Sequence, residues 1–463
     1  MAKMKTMSSK DYGMIFLVMA IILVLALTIY VVADGMLHRT NLLTDKSLIN
    51  STAAILGKYP ANITQKDLDE VKILVIEKNP YGGDGYTISF GYDDALAMVK
   101  RNEADSEALR LDPDYEVDNS DERSVEDLLI AEFSEDNIKD FSDLSRFTNL
   151  EYLIFSGPNL QYTSESMHEL KDFSFVENLK SLTNINISNT GANDFAPVAA
   201  LPSLKSLSVI YNAVKDASVF SNAAGLEFLN LTIAGVSDIS FAASLVNLKD
   251  LYIRYNAVED ISAVRDLTKL RDLVLDSNEI EDISPLKSLT NLKTLNLNGN
   301  NIKNISVLSS LASLENLYLG NNEIADITPA YTSSSLINLS VSANGLTETG
   351  MPENAGARFK NLKTLDISEN EIEDISPLSG ITSLETLYAG SNMIVDVGPL
   401  APLVNLSVAY LDDNLIEDFS PLDALEEAGT YISGKGAQQF DDDSDYDYDF
   451  DFDFDDLEID YGD

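Results

Sequence analysis

Asn256, Asn278, Asn300, Asn322 and Asn344 stand 22 residues apart, and Asn370, Asn392 and Asn414 resume that step after a longer gap. One frame surrounds each asparagine, clearest in Leu267-x-x-Leu270-x-x-Leu273-x-Leu275-x-x-Asn278-x-Ile280-x-x-Ile283. A unit this short cannot bury its own apolar face, so its copies must stack into a solenoid with one continuous core. The function of such a chain belongs to a surface and not to a cleft of catalytic side chains.

Within one unit, Leu273-x-Leu275 reads as a short strand with both leucines inward and Val274 outward. Stacked units then form a parallel ladder lining a concave wall. The asparagine follows where the chain must turn, and its amide can both donate to and accept from buried backbone groups. Asn296, four residues before Asn300 and outward-facing, is expected to be dispensable by comparison. Ile280 and Ile283 return to the core, and Ser284-Pro285-Leu286 begins a short helical turn on the convex side. Asn212 keeps the step, Ala234 and Thr190 fill the asparagine slot, and Pro158 and Asp136 mark weaker frames upstream. From 136 to 414 this predicts about thirteen units, with insertions in the steps 158–190 and 344–370.

Runs such as Leu289-Thr290-Asn291-Leu292-Lys293-Thr294-Leu295-Asn296-Leu297 and Asp374-Ile375-Ser376-Pro377-Leu378 carry a family likeness. The frame resembles the leucine-rich repeat in the 22-residue form of bacterial internalins. Ile63–Val71 is similar to the segment that leads into the first strand of that family, which makes Leu48–Lys58 the helical N-terminal cap. Val71, Leu74, Ile76 and Asn79 would then form a first unit, followed by an insertion to about residue 127. The likeness runs from residue 48 to about 428. It implies an α/β solenoid, a horseshoe with parallel strands on the concave face and 3-10 or irregular turns on the convex face. It also implies a binding scaffold, commonly for a protein, without catalytic activity. A Leu-Pro-x-Thr-Gly sorting signal and a second folded domain after the repeats are both absent from the sequence, which argues against wall attachment and host-cell invasion.

Met14 to Ala33 is a run of twenty residues in which only Thr28 and Tyr30 carry polar groups. As a helix it spans about 30 Å, the thickness of a bilayer core. Lys3, Lys5 and Lys10 precede it and Asp34 follows, which keeps the N-terminus cytoplasmic and the repeats outside. The rival is a cleaved signal peptide ending at Val31-Val32-Ala33, against which the length of the apolar run argues. The expected organisation is a cytoplasmic N-terminus (1–13), a transmembrane signal anchor (14–33), a cap with first repeat and insertion (34–127), the solenoid (128–428), and a linker with an acidic tail (429–463). The chain has no cysteine, so stacking must supply the stability, which suits a bacterial surface protein better than an animal ectodomain.

Only two histidines, His38 and His168, are present, far apart in the sequence, and neither a triad nor a zinc site can be assembled from them. With 76 acidic against 31 basic residues the net charge is −45, which repels nucleic acid and anionic lipid. The recurring Asp260, Asp282, Asp326 and Asp374 read as part of that solvated surface. No catalytic residue, metal site or cofactor is predicted.

The outward column between the strand leucines reads Asn186, Ser208, Asn230, Tyr252, Val274, Asn296, Tyr318, Ser340, Asp366, Tyr388 and Tyr410, and Tyr211 and Tyr255 add to the same wall. Tyrosine gives stiff amphipathic contact area suited to binding, and it equally suits a strand. Arg254 stands alone as a basic residue there, able to receive a ligand carboxylate or to balance Asp250 and Asp272. Tyr211, Tyr252, Arg254, Tyr255, Tyr318, Tyr388 and Tyr410 are therefore the candidate ligand-binding residues, for a protein partner on the concave face. Asp441–Asp463 alternates carboxylates with aromatics and lacks any basic residue. Repulsion predicts disorder, with attraction of a basic partner or weak Ca²⁺ binding as its functional readings. The sequence thus points to a membrane-anchored extracytoplasmic binding protein. The alternatives are a released adhesin and an intracellular scaffold like the phosphatase-regulating repeat proteins.

Overall fold

A computed structural model describes residues 42–78, 86–98, 100, 129–134, 138, 140–157, 173–347, 350 and 355–435. The apolar run 14–33, His38, Asn79, His168 and the tail 437–463 lie outside these residues. Among the described residues no helix is long and apolar enough to cross a membrane.

The solenoid opens with helix α1 (Lys46–Ile55), held at its start by Asp45, whose carboxylate accepts from the backbone of Ser47 and Leu48. Helix α2 (Gln65–Asp69) begins in a capping box of Thr64 and Asp67. Buried Asp143 ties this cap to the first convex turn by accepting from the backbone N–H groups of Thr44 and Asp45. Strand β1 (Ile73–Lys78) then pairs in parallel with β4 (Tyr152–Ser156), with Leu74 opposite Leu153. Val71, Leu74 and Ile76 are fully buried.

The insertion after β1 extends the sheet. Strand β2 (Tyr86–Gly91) pairs antiparallel with β1, and β3 (Ile130–Ser134) pairs antiparallel with β2 at the outer edge. The frame at Asp136 is therefore not a rung of the parallel ladder. Only the apolar residues that follow it, Ile138, Phe141 and Leu144, join the shared core.

From β4 onward each three- to five-residue strand pairs in parallel with the next, ending at Tyr431–Ile432. Leu273, Leu295, Leu317 and Leu339 stand opposite one another in successive rungs. The ladder so continues past residue 428, and Leu422 and Leu425 close its C-terminal end from the helix Asp423–Glu427 and the turn before it. On the convex side the chain forms 3-10 turns such as Ser284–Ser288. The recurring aspartates serve these turns: Asp282 Oδ1 accepts from Ser284 N at 2.8 Å, and Asp260, Asp326 and Asp374 repeat the contact. They are local structural groups as well as surface charge.

Each slot asparagine bridges two units. Asn278 Nδ2 donates to Ile253 O of the preceding unit (2.7 Å) and to its own Leu275 O (2.9 Å), while its Oδ1 accepts from Val258 N (3.0 Å). Where the slot holds Ala234, Val214 N turns to the backbone carbonyl of Ala234 instead, at 2.9 Å. In the 344–370 step the inserted helix Ala355–Arg358 lies so close to the next convex turn that a Cβ on Gly356 would meet Gly380 C at 2.0 Å.

The residue before each slot occupies the left-handed region, from Asn189 to Asp413. At Ile233, φ is +52°, a conformation that costs a β-branched residue about 1–2 kcal/mol. Ile233→Asn should raise stability by roughly 1 kcal/mol, because asparagine accepts this backbone readily. Thermal melts test this: Ile233→Val, still β-branched, should stay near the parent value, and a loss with asparagine would refute the strain argument.

Candidate binding surface

The concave face is closed at its N-terminal end by the insertion. A short helix over residues 93–98 lays Ala95, Leu96 and Met98 against Ile73, Val75 and Tyr152, with Leu129 and Ile154 beside them. The open wall therefore starts beyond β4.

Along that wall the central column is more deeply packed than alternation alone implies. Rungs about 4.8 Å apart on a curved inner face bring outward side chains together, so they cover one another. Tyr252 and Tyr318 are only 6% and 4% exposed, and Val274, Asn296 and Asp366 are buried too. Tyr252 packs its ring 5.4 Å from Phe228. Asp366 accepts from Ser340 Oγ, Ser368 N and Ser368 Oγ. Asn296 is hydrogen-bonded as well as buried: its Oδ1 accepts from Asn298 N (3.0 Å) and its Nδ2 donates to Asp276 (3.2 Å).

Arg254 has a partner that sequence reasoning missed. Its Nε donates to both oxygens of Asp276, at 2.9 and 3.1 Å, one rung along, and its guanidinium lies 5.5 Å from the Tyr255 ring centre. Asp276, two residues past Val274 on the same outward side, is the carboxylate that column parity would have found.

The accessible aromatics are others. Tyr211 and Tyr255, 46% and 48% exposed, sit at the left-handed positions with φ of +54° and +52°. Tyr388 and Tyr410 are half-buried on adjacent rungs, their rings stacked at 4.9 Å and 12°. Burial raises the Tyr388 phenol pKa, with Tyr410 and Asp366 adding to the shift. Tyr431, absent from the sequence-based candidates, extends this cluster: its ring meets Tyr410 edge-on at 5.9 Å and is 57% exposed. A basic row also precedes the strands, where Lys205, Lys293 and Lys363 pair with Glu227, Glu315 and Glu385. Among the described residues no group of three or more His, Cys, Asp or Glu could hold a metal ion.

Residues 246–288 and 290–331 match the family described as Leucine Rich repeats (2 copies), and residues 360–375 match the single Leucine Rich repeat. The fold is a leucine-rich-repeat solenoid of the internalin-like type. An internalin (inlF) from Listeria monocytogenes superposes with a TM-score of 0.54 at 24% identity, over 84% of this chain and 95% of that one. A leucine-rich-repeat protein of Leptospira interrogans gives a TM-score of 0.54 at 20% identity, over 64% and 82%. No curated protein matches the chain in sequence.

Burial pushes the Tyr318 phenol up to about 12, and burial followed by Asp326 also raises the Tyr331 phenol. An unfolded tyrosine loses its proton near pH 10, so the repeat solenoid should keep full stability below about pH 10 and lose it as the pH rises towards 12. For Tyr318 alone the loss is on the order of 2 kcal/mol. Melting temperatures between pH 8 and 12 should fall more steeply in the parent than in Tyr318→Phe; parallel curves would contradict the assignment.

Proposed function

We propose that this protein is held in the cell membrane by residues 14–33, presents its repeats outside the cytoplasm, and binds a protein or other cell-surface ligand through its open concave face. One observation carries the binding part. Tyr211 and Tyr255 leave about half their surface in water at backbone positions that disfavour large L side chains, although smaller residues fill the same position in other units. Exposed aromatics held in a costly conformation are better explained by a ligand than by packing. The apolar run with lysines before it supports the placement.

The full-length chain should partition with membranes and its repeats should be cleaved by protease added from outside. A mature N-terminus at Asp34 in the medium would replace the anchored reading with the released adhesin. For a captured partner, Tyr211→Ala or Tyr255→Ala should weaken binding by about 1–2 kcal/mol each without changing the melt. Unchanged affinity in both variants would move the site off this part of the wall.

A further inference from the structure

We infer that Tyr388, Tyr410 and Tyr431 form a subsite for an arginine or lysine side chain presented by a basic segment of the partner. This rests on the concave face being the binding surface. Two stacked rings and a third at 64° to Tyr410 make an aromatic corner, and Tyr431 leaves most of its surface in solvent. Gly390, two residues past Tyr388 on the same outward side, carries no side chain, and a Cβ there would lie 3.3 Å from the backbone carbonyl oxygen of Asp412 on the next rung. Half-buried Asp412, two residues past Tyr410, accepts from Ser433 Oγ.

Charge selects the occupant. Residues 361–435 hold fourteen carboxylates against two lysines, and both lysines are already ion-paired, Lys363 with Glu385 and Lys435 with Glu426. An anionic or aliphatic ligand gains nothing from that field, whereas a cation over a tyrosine face is attracted both by the ring and by the surrounding carboxylates. A planar guanidinium can lie on one ring and hydrogen-bond a carboxylate beside it at the same time.

The test uses the full-length chain and a labelled twelve-residue peptide of alternating arginine and glycine, read by fluorescence anisotropy, with the citrulline peptide as its neutral twin. The arginine peptide should bind and weaken with added salt, and the citrulline peptide should bind at least tenfold more weakly. Tyr431→Ala should lower affinity roughly 3- to 10-fold, while Tyr431→Phe, which keeps the ring face, should stay within about twofold. Equal binding of the two peptides would overturn the proposal. So would undiminished binding by Tyr431→Ala, which would place the cations on the acidic surface at large. That last result, together with weaker partner binding by Tyr255→Ala, would remove this subsite and leave the concave-face reading standing.

Discussion

Truncating Phe195 to alanine should destabilise the solenoid by about 3–5 kcal/mol, the largest single-residue effect expected here. Phe195 lies in an interior file of rings that runs through the first half of the repeats. Phe141 meets Phe155 at 5.6 Å, Phe155 meets Phe173 at 6.4 Å, and Phe173 meets Phe195 at 5.7 Å. Phe195 then meets Phe220 at 6.3 Å, and Phe220 meets Phe241 at 5.6 Å. These rings are buried, and each touches the next unit, so removing one both opens a cavity and cuts the contact between neighbours. A solenoid is held by nearest-neighbour interfaces, so the damage should stay local. Urea unfolding of Phe195→Ala should therefore split into two steps, with the N-terminal units melting first. A single transition with an unchanged midpoint would show that the ring file carries no such weight.

That file was not legible in the sequence, and the reason is geometric. The leucines and asparagines keep fixed offsets, so periodicity exposed the strands, the convex turns and the parallel ladder. The phenylalanines do not: Phe195 lies five residues past its slot at Thr190, Phe220 eight past Asn212, and Phe241 seven past Ala234. They fill one interior space from different points on the turn. The concave wall was half legible. Alternation places Tyr252, Asn296 and Tyr318 outward, but it says nothing of curvature, and crowding on the inner face buries all three. The left-handed turn before each slot left little trace either, because Tyr211, Ile233, Ser277, Glu369 and Asp413 share no composition that signals it. In Asp260, Asp282 and Asp374 the recurrence reads as surface charge, although an aspartate two residues before a helical turn commonly accepts from its backbone, as these do. Tyr431 was hidden by a register change: only three residues separate the closing helix from the last strand, where no leucine frame remains.

Asn300→Leu is the second large effect, expected to cost about 3 kcal/mol, at the upper end for unpartnered buried polar groups. Asn300 Nδ2 donates to Leu275 O (3.1 Å), Leu297 O (3.0 Å) and Asn298 O (3.2 Å), and its Oδ1 accepts from Ile280 N (3.0 Å). Leucine has similar bulk and offers none of these contacts, so three carbonyls and one N–H lose their side-chain partner in a place water does not reach. Leu275 O and Ile280 N belong to the preceding unit, so the change also loosens the junction between two repeats. Asn296→Ala gives the comparison. It removes one bond to Asn298 N and one to Asp276, and should cost about 1 kcal/mol. The slot itself shows that an alternative exists: at Ala234 the backbone carbonyl takes over the N–H of Val214, in a unit where Gly235 after the slot has φ of +68°. Asn300→Ala should therefore recover little, because its turn is shaped around the amide, whereas Asn300→Asp retains the acceptor and should still lose the three donations. A melting shift for Asn300→Leu no larger than that of Asn296→Ala would mean that the asparagine ladder accompanies the stacking without holding it.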